Sequence, residues 1–400
     1  MKICIISDQH LCANPRVWKE AKTLSDNHYE VVVVTQFTSA SQYEKDREIL
    51  EHYNIHAQYK SGLNLIPGQV SVFKLLYYKL RRRAAIIFKK LGVELKYLIS
   101  YSPNDIYKAA KRENADLYIA HVECGFYAGK KLVSDSKLVA FDLEDWHSRD
   151  YLIQSRPVNT LSKLESFGLH NGVYFTCPSQ SMSDAIFDAY GKRHPEVIYN
   201  GFLIEDYDET QTTGNDKPSL VWFSQTIGAG RGVEKIVDVL HDIREPLSLN
   251  LIGNCSVDYE DFLKGEFPFE LGHELRIIPP VKHYELHKML CRYDIGLALE
   301  HKDADNKRTT VSNKMLQYLQ AGLKVFATDT DGQLEIAKKF PEVVKTVPAD
   351  KTDKWSIVLS GLLQHTDYSR KDIVERHDKE FSWEAQESKL LTLVKKALNG

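Results

Sequence analysis

The sequence has few cysteines, and no two of them are closely spaced. The six thiols are spread along 400 residues, at Cys4, Cys12, Cys124, Cys177, Cys255 and Cys291. Structural zinc sites need paired ligands, and a chain of this length does not depend on disulfides for its stability. We therefore predict six reduced thiols in a reducing compartment, and no metal site.

Long apolar runs and an excess of positive charge are also absent. The first ten residues, MKICIISDQH, become polar after six, so they do not form a signal peptide, and no run of 18 apolar residues follows. The chain has 52 Lys and Arg against 55 Asp and Glu. Because nucleic-acid-binding proteins normally carry a basic excess, we expect a cytoplasmic protein that does not bind nucleic acid.

Short runs rich in Val and Ile alternate with helical patterns along the chain. Strands are predicted in the first half at Lys2–Ser7, Glu30–Gln36, Leu117–His121, Lys137–Asp142, Gly172–Cys177 and Glu196–Tyr199. In the second half they are predicted at Leu220–Ser224, Leu247–Gly253, Leu275–Val281, Ile295–Glu300, Lys324–Asp329 and Val343–Val347. Strands that are apolar on both faces are typical of parallel sheets covered on both sides.

The sequence therefore predicts an α/β protein with two doubly wound, Rossmann-like parallel-sheet domains facing a cleft. We place the domains at residues 1–200 and 219–380, with a polar linker at 201–218. Ligands of open α/β sheets bind beyond the carboxyl ends of strands. Polar groups at such ends are Asp8, His10, His121, Glu123, Asp142, Glu144, Asp145 and His147, then Ser224, Gln225, Gly253, His283 and Glu300.

Two segments of the second half fit a phosphate site. A strand runs into a loop with Gly228, Gly230, Arg231 and Gly232, where glycine permits close backbone approach and Arg231 can clamp a diphosphate. A flexible strand-to-helix loop explains the same pattern. Further on, Ser312 is a good N-cap for a helix whose free N–H groups suit a phosphate, and the polar stripe of that helix is Asn313, Gln317 and Gln320. An ordinary surface helix also shows such a stripe.

Seven segments follow one another in an order that one enzyme family shares. They are NPRVWKEAKTLSDNHYEVVVVT, VIYNGF, WFSQTIGAGRGVEKIV, LNLIG, LRIIPPVKHYELHKMLCRYDIGLALE, SNKMLQYLQAGLKVFATDTDGQLEI and FSWEAQESKLLTLV. In this order the chain resembles the retaining glycosyltransferases of family 4, of GT-B architecture, as a divergent member of bacterial surface-polysaccharide type. The resemblance covers nearly the whole chain. It implies a terminal helix at 381–400 that crosses back to the first domain.

The resemblance further implies transfer of a sugar, of hexosyltransferase type, from a nucleotide-sugar donor to a hydroxyl acceptor, with retention and without metal or other cofactor. Arg231 takes the place of a basic residue that holds the donor diphosphate, and Gln225 that of a second one. Ser312, Asn313 and Lys314 fall on the loop and helix start that meet the phosphates. Gln317 stands where the family has a glutamate that grips the ribose, and Thr309 where it has another glutamate.

Acceptor-side residues follow from the same resemblance. His121 matches a family histidine near the reacting sugar, so it is our catalytic candidate together with Asp145. Asp145 lies in an acidic run, FDLEDWHSRD, whose carboxylates either orient the acceptor hydroxyl or cap the next helix. Asn14 and Arg16, in the segment similar to the family's first helix, are assigned to the acceptor side.

Two other functions stay open. Nucleotide-sugar 2-epimerases also have two such domains, and they need no acceptor. The loss of the family residues at Thr309, Gln317 and Gln225 also fits a non-catalytic GT-B scaffold protein.

The stretch Val72–Leu98 combines a basic surplus with an apolar stripe. It has eight Lys and Arg against Glu94 alone, a local charge of +7. As one helix it lines up Phe73, Leu76, Tyr77, Leu80, Ala84, Ile87, Phe88, Leu91 and Leu95. Such a helix suits the anionic inner face of a membrane, with a glycan or lipid-linked acceptor. The alternative is a helix that packs this stripe on its own sheet.

Overall fold

A computed structural model describes residues 1–151, 154–205 and 217–400. These residues form two compact units. Unit 1 comprises Met1–Ile198, Ala304–Asn306 and Glu387–Gly400, and unit 2 comprises Tyr199–Asp303 and Lys307–Gln386. Most of the linker predicted at 201–218 lies outside the described residues, which resume at Lys217.

Unit 1 is built on a parallel sheet of seven strands in the order β3-β2-β1-β4-β5-β6-β7. Strand β1 is an interior strand between β2 and β4, and it is almost completely buried. The strands are β1 (Lys2–Ile6), β2 (Glu30–Phe37), β3 (Ala57–Asn64), β4 (Leu117–His121), β5 (Val139–Asp142), β6 (Phe175–Cys177) and β7 (Glu196–Val197).

Helices cover this sheet because each has one apolar face. In α1, for example, Val17, Ala21 and Leu24 are buried at helical spacing, and Asn14 caps the N-terminus by accepting a bond from the Val17 N–H. The helices of unit 1 are α1 (Pro15–Asp26), α2 (Ala40–His52), α3 (Val72–Lys90), α4 (Pro103–Arg112), α5 (Val122–Ser134), α6 (Val158–Asn171) and α7 (Gln180–Tyr190).

Unit 2 has a parallel sheet of six strands in the order β10-β9-β8-β11-β12-β13. The two sheets confirm the predicted fold class of two doubly wound, Rossmann-like domains. The strands are β8 (Ser219–Ile227), β9 (Ser248–Cys255), β10 (Glu274–Ile278), β11 (Ile295–Ala298), β12 (Lys324–Thr328) and β13 (Val344–Val347).

The core of unit 2 contains Trp222, Phe326 and Trp355, and the last two pack edge to face at 5.5 Å between ring centroids. Its helices are α8 (Val233–Leu240), α9 (Val257–Glu266), α10 (His283–Leu290), α12 (Asn313–Gln320), α13 (Asp331–Ala337), α14 (Trp355–Gln364) and α15 (Arg370–Phe381). Two further helices have residues in both units, α11 (Asp305–Thr309) and α16 (Trp383–Asn399).

The basic stretch differs from its prediction as a single helix over Val72–Leu98. Helix α3 ends at Lys90, and Gly92 follows with a φ of +82°, a left-handed conformation that glycine adopts without strain. Most of the apolar stripe faces away from unit 1, so the alternative in which it packs on its own sheet is wrong. Among the described residues, no helix is both long enough and apolar enough to cross a lipid bilayer.

Candidate functional site

The first part of the candidate site is the loop after β8 in unit 2. The strand continues past its predicted end at Ser224 as far as Ile227, with an irregularity between Phe223 and Thr226, so Gln225 is an exposed strand residue. Gly230 and Gly232 have φ values of +74° and +84°. These left-handed conformations favour glycine and bend the chain tightly around the residue between them.

That residue is Arg231, whose side chain is exposed. Its guanidinium donates from Nη1 to Ser224 Oγ at 3.1 Å. The loop therefore holds the Arg231 guanidinium near the carboxyl end of β8. Arg231 needs this position if it binds an anionic ligand there.

The second part is the first turn of α12, which is bound to the end of β11 through Glu300. Ser312 Oγ and Lys314 Nζ both donate to Glu300 Oε1, at 3.1 and 3.0 Å. Burial favours a higher pKa for the Glu300 carboxyl, but the charge of Lys314 outweighs burial and holds that pKa below its usual value. An ionised Glu300 thus fixes the position of the Lys314 ammonium group.

A glycine in β11 lets α12 lie close against the sheet. A Cβ on Gly296 would stand 2.1 Å from Cγ of the Tyr318 ring, and Tyr318 also donates its hydroxyl to the Leu297 carbonyl at 3.3 Å. Strands β8 and β11 are neighbours in the sheet. Arg231 and Lys314 therefore both lie beyond the carboxyl ends of these two adjacent parallel strands.

The polar stripe of α12 is not an exposed face, so α12 is not the ordinary surface helix of the alternative. Asn313 is exposed, but Gln317 and Gln320 are buried. Gln320 Nε2 donates to the Leu203 carbonyl at 2.6 Å, which gives it a structural role. The assignments of Gln225, Asn313 and Gln317 to donor binding stay predictions.

Unit 1 contains a buried network of charged groups around Arg16. Its guanidinium donates to Glu20 Oε1 at 3.0 Å and to Asp142 Oδ2 at 2.8 Å, and also to the Ile198 carbonyl. His121, which is fully buried, contacts Glu20 Oε2 through Nε2 at 3.0 Å. The network connects α1 to the carboxyl ends of β4 and β5.

Electrostatics in this network favour a protonated His121. Burial acts against the charged imidazole, but Glu20 and Glu144 outweigh it and raise the pKa of His121 well above its usual value. The pKa of Glu20 is lowered to about 2, where the charges of His121 and Arg16 overcome the effect of burial. Burial raises the pKa of Asp142 to about 6. His121 is thus an imidazolium held between two carboxylates.

The network reaches the surface at Glu144. Glu144 Oε1 accepts bonds from His121 Nδ1 and from Asn14 Nδ2, both at 2.8 Å. The Glu144 side chain is 13% exposed, whereas His121 has no exposed surface. Three of the predicted residues, His121, Asn14 and Arg16, therefore belong to one network, and Glu144 is the member that is available to a ligand.

Asp145, the other catalytic candidate, has a different environment. Its side chain is exposed and accepts a bond from Asn306 Nδ2 at 3.4 Å, within unit 1.

The residue after His121 has an unusual backbone conformation. Val122 has a φ of +53°, which is rare for a β-branched residue. Backbone strain of this kind is concentrated at functional sites.

Three members of the network have a spacing that would suit a metal ion. Ligand atoms of Glu20, His121 and Asp142 lie within 4.8 Å of one another. However, the Arg16 guanidinium donates to both carboxylates, so it already supplies positive charge there. The residues fit an ion-pair network better than a metal centre, and a metal-free enzyme stays a prediction.

The sequence assigned no role to two residues that hold these sites together. Glu20 carries a signal, since it lies four residues after Arg16, the spacing of a helical ion pair. Glu300 was noted at a strand end, but its bonds to Ser312 and Lys314 depend on a helix that starts 13 residues later.

Comparisons with known proteins place the chain by its fold. No family model and no curated protein matches the sequence. Among solved structures, HepE from Anabaena, in complex with UDP and glucose, is similar with a TM-score of 0.65 and 12% identity over 99% of both chains. A glycosyltransferase from Rickettsia africae has a TM-score of 0.67 and 12% identity over 100% of this chain and 99% of its own.

An epimerase has a similar structure as well. UDP-GlcNAc 2-epimerase from Neisseria meningitidis, bound to UDP-GlcNAc, has a TM-score of 0.59 and 12% identity over 99% of this chain and 100% of its own. Identities of this size establish a shared fold and leave the activity to be argued from the site. With its two parallel-sheet units and these structural neighbours, the chain has the GT-B fold.

Proposed function

We propose that this protein is a glycosyltransferase that moves a sugar from a nucleotide-sugar donor to a hydroxyl acceptor. The observation that carries the proposal is the pair of cations, Arg231 and Lys314, after the neighbouring strands β8 and β11 of unit 2. The ligands bound to two structural neighbours, UDP with glucose in one and UDP-GlcNAc in the other, support this class of donor.

The chemistry follows from the charge of the leaving group. When the bond between sugar and phosphate breaks, negative charge develops on the nucleoside diphosphate. Arg231 can bind two phosphate oxygens at once, the Lys314 ammonium group adds a second positive charge, and α12 offers free N–H groups in its first turn. Donors fixed in advance where charge develops stabilise the transition state.

The finer assignment rests on the resemblance to the retaining glycosyltransferases of family 4. We infer a retaining, metal-independent hexosyl transfer in the assembly of a cell-surface polysaccharide or glycolipid. On the acceptor side, Glu144 Oε2, which has no hydrogen bond to any of the described residues, accepts one from the acceptor hydroxyl. His121 and Asn14 hold Oε1 of the same carboxylate.

Calorimetry with nucleoside diphosphates tests the donor site. Wild-type protein should bind UDP or another nucleoside diphosphate, and Arg231→Ala should weaken that binding about 10- to 150-fold, the equivalent of one charged hydrogen bond. Arg244→Ala removes an exposed arginine beyond α8 and should leave affinity unchanged. If no nucleoside diphosphate binds the wild type, the proposed transferase activity is wrong, and the alternative of a non-catalytic scaffold protein is favoured.

A 2-epimerase is the second candidate, since a solved epimerase shares the fold. The two activities differ in their need for an acceptor. We would incubate the protein with nucleotide sugars alone and follow the sugar signals by NMR. A transferase leaves the configuration at C2 unchanged under these conditions, whereas an epimerase interconverts the two C2 epimers without any acceptor.

A further inference from the structure

Helix α3 exposes an apolar stripe that none of the described residues of unit 1 covers. Phe73, Leu76, Leu80, Ala84 and Ile87 are spaced three or four residues apart, so they share one face of the helix. All five are exposed, with exposed fractions of 85% for Phe73, 52% for Leu80 and 61% for Ile87. Single apolar side chains are often exposed, but a contiguous apolar strip of this kind is typical of an interaction surface.

The opposite face of α3 attaches the helix to unit 1. Tyr78 and Ala85 are its buried residues, and the Tyr78 hydroxyl donates to Asp105 at 2.8 Å. Arg81 stacks on the Tyr97 ring, 4.0 Å from the ring centroid, and donates to the Tyr101 carbonyl. Arg82 lies over the Tyr101 ring at 5.1 Å. These two arginines therefore fix the orientation of the helix, and the stripe faces outward as a result.

Other cations flank the exposed stripe. At 100° per residue, Lys79, Arg83 and Lys90 fall along one side of it and Lys74 along the other. All four are exposed, and among the residues that the structure describes none of them pairs with a carboxylate. The single acidic residue of the stretch, Glu94, is engaged by Lys89 and by the Thr160 N–H.

We propose that this face of α3 is a docking surface for an anionic phospholipid membrane. A helix of 19 residues is about 28 Å long. Lying in the interface plane, it buries the apolar side chains at the level of the acyl chains and brings the flanking cations to the headgroups. Charge complementarity favours a membrane over other binding partners. Cations that pair with no carboxylate among the described residues lie on both sides of the apolar stripe, and together they match the continuous layer of anionic headgroups.

Vesicle flotation tests the surface with full-length protein. Wild type should float with phosphatidylcholine vesicles that contain 30% phosphatidylglycerol, and should float less in 500 mM NaCl or with phosphatidylcholine alone. The triple variant Lys79→Glu, Arg83→Glu, Lys90→Glu should lose at least about 100-fold in partitioning, because each cation near an anionic surface contributes about fivefold. Arg81 and Arg82 are left unchanged, since they hold the helix in place.

A matched variant has the same change of charge elsewhere on unit 1. Lys45→Glu, Arg47→Glu, Lys108→Glu alters exposed cations of α2 and α4 and should float like the wild type. The apolar variant Phe73→Ser, Leu80→Ser, Ile87→Ser should keep its melting temperature and lose flotation, since these side chains are already exposed.

Three results would overturn the proposal. The first is failure of the wild type to float with anionic vesicles, and the second is a loss of binding in the matched variant as large as that in the α3 charge variant. The third is a wild-type dimer in sedimentation that the apolar variant converts to a monomer without any vesicle binding, which would assign the stripe to a second copy of the chain. All three are independent of nucleotide binding, so they are distinguishable from failure of the proposed transferase.

Discussion

His121 shows how burial changes what a histidine can do. Both of its ring nitrogens are held by carboxylates, of Glu20 and Glu144, and no part of it is exposed. In this environment it positions Glu144 and has no free nitrogen to offer a ligand. The sequence pointed to this region, but it could not show that the surface-accessible member of the network is a carboxylate.

The charge on His121 gives a pH dependence of stability. Because its pKa is raised, its stabilising charge is complete below the unfolded value of about 6.5 and is lost as pH rises through the raised pKa. Removal of one partner from a buried ion pair costs about 3–5 kcal/mol. We therefore expect His121→Gln to lower the free energy of unfolding by that amount at pH 7.

Urea denaturation between pH 7 and pH 10 measures this effect, above the pKa of about 6 of Asp142. The difference between wild type and His121→Gln should narrow toward high pH. A difference that stays constant over this range would mean that His121 is neutral in the folded protein.

The roles of Glu144 and Asp145 can be distinguished by replacing each carboxylate with its neutral amide. Glu144→Gln keeps the shape of the side chain and removes the charge that would orient the acceptor, so we expect turnover to fall about 10- to 100-fold with little change in nucleotide affinity. Asp145→Asn alters an exposed neighbour with one long hydrogen bond and should lose less. Steady-state rates with a suitable acceptor measure both variants. A larger loss in Asp145→Asn would favour the carboxylate that the sequence singled out.

At the scale of elements, the buried parallel strands were predictable and the edge strand β3 was not. Strands such as β2 and β12 are continuous apolar runs because helices cover both of their faces. Strand β3, with the sequence AQYKSGLN, lies at the edge of its sheet and is mostly half-buried. Since it packs few apolar side chains, no hydrophobic pattern marks it, and its sequence does not predict a strand.

Helix α12 shows a second limit of the sequence pattern. Its glutamines at positions 317 and 320 have the spacing of a polar surface stripe, yet both are buried. What buries this face is non-local, as the bond from Gln320 to the Leu203 carbonyl shows. Periodicity gives the face that residues share, but it does not tell what lies against that face.

The close packing of α12 against β11 can be tested by a substitution at Gly296. In Gly296→Ala the added Cβ would overlap the Tyr318 ring, so we expect about 1–3 kcal/mol of destabilisation and weaker nucleotide binding as the first turn of α12 shifts. Thermal unfolding and calorimetry measure the two effects.

Gly265→Ala provides the control. This glycine lies exposed in helix α9 with open space around its Cβ position, so alanine should stabilise the protein slightly and leave binding unchanged. Equal melting temperatures of Gly296→Ala and wild type would mean that α12 can move away from β11 at no cost.

At the scale of the whole molecule, all six cysteines are free thiols. Cys4, Cys124, Cys177 and Cys291 are buried, while Cys12 and Cys255 are partly exposed. Burial raises the pKa of the Cys12 thiol to about 12, which also makes it a poor nucleophile at neutral pH. The four buried thiols therefore contribute packing.

Titration with a thiol reagent checks this assignment. Folded protein should show at most two slowly reacting thiols at pH 7.5, and denatured protein should show six. A reducing agent should leave the melting temperature unchanged. Fewer than six reactive thiols after denaturation without reductant would reveal a disulfide.

The membership of residues Glu387–Gly400 in unit 1 has a consequence for biosynthesis. Leu390 and Val394 are buried there, and Glu387 accepts a bond from Thr23 at 3.0 Å. A ribosome adds about 5–20 residues per second. The N-terminal strands are therefore synthesised roughly 20–80 s before the C-terminal residues that pack on unit 1. During that time the emerging chain exposes part of the surface that α16 will cover, and a chaperone would have its opportunity to bind there.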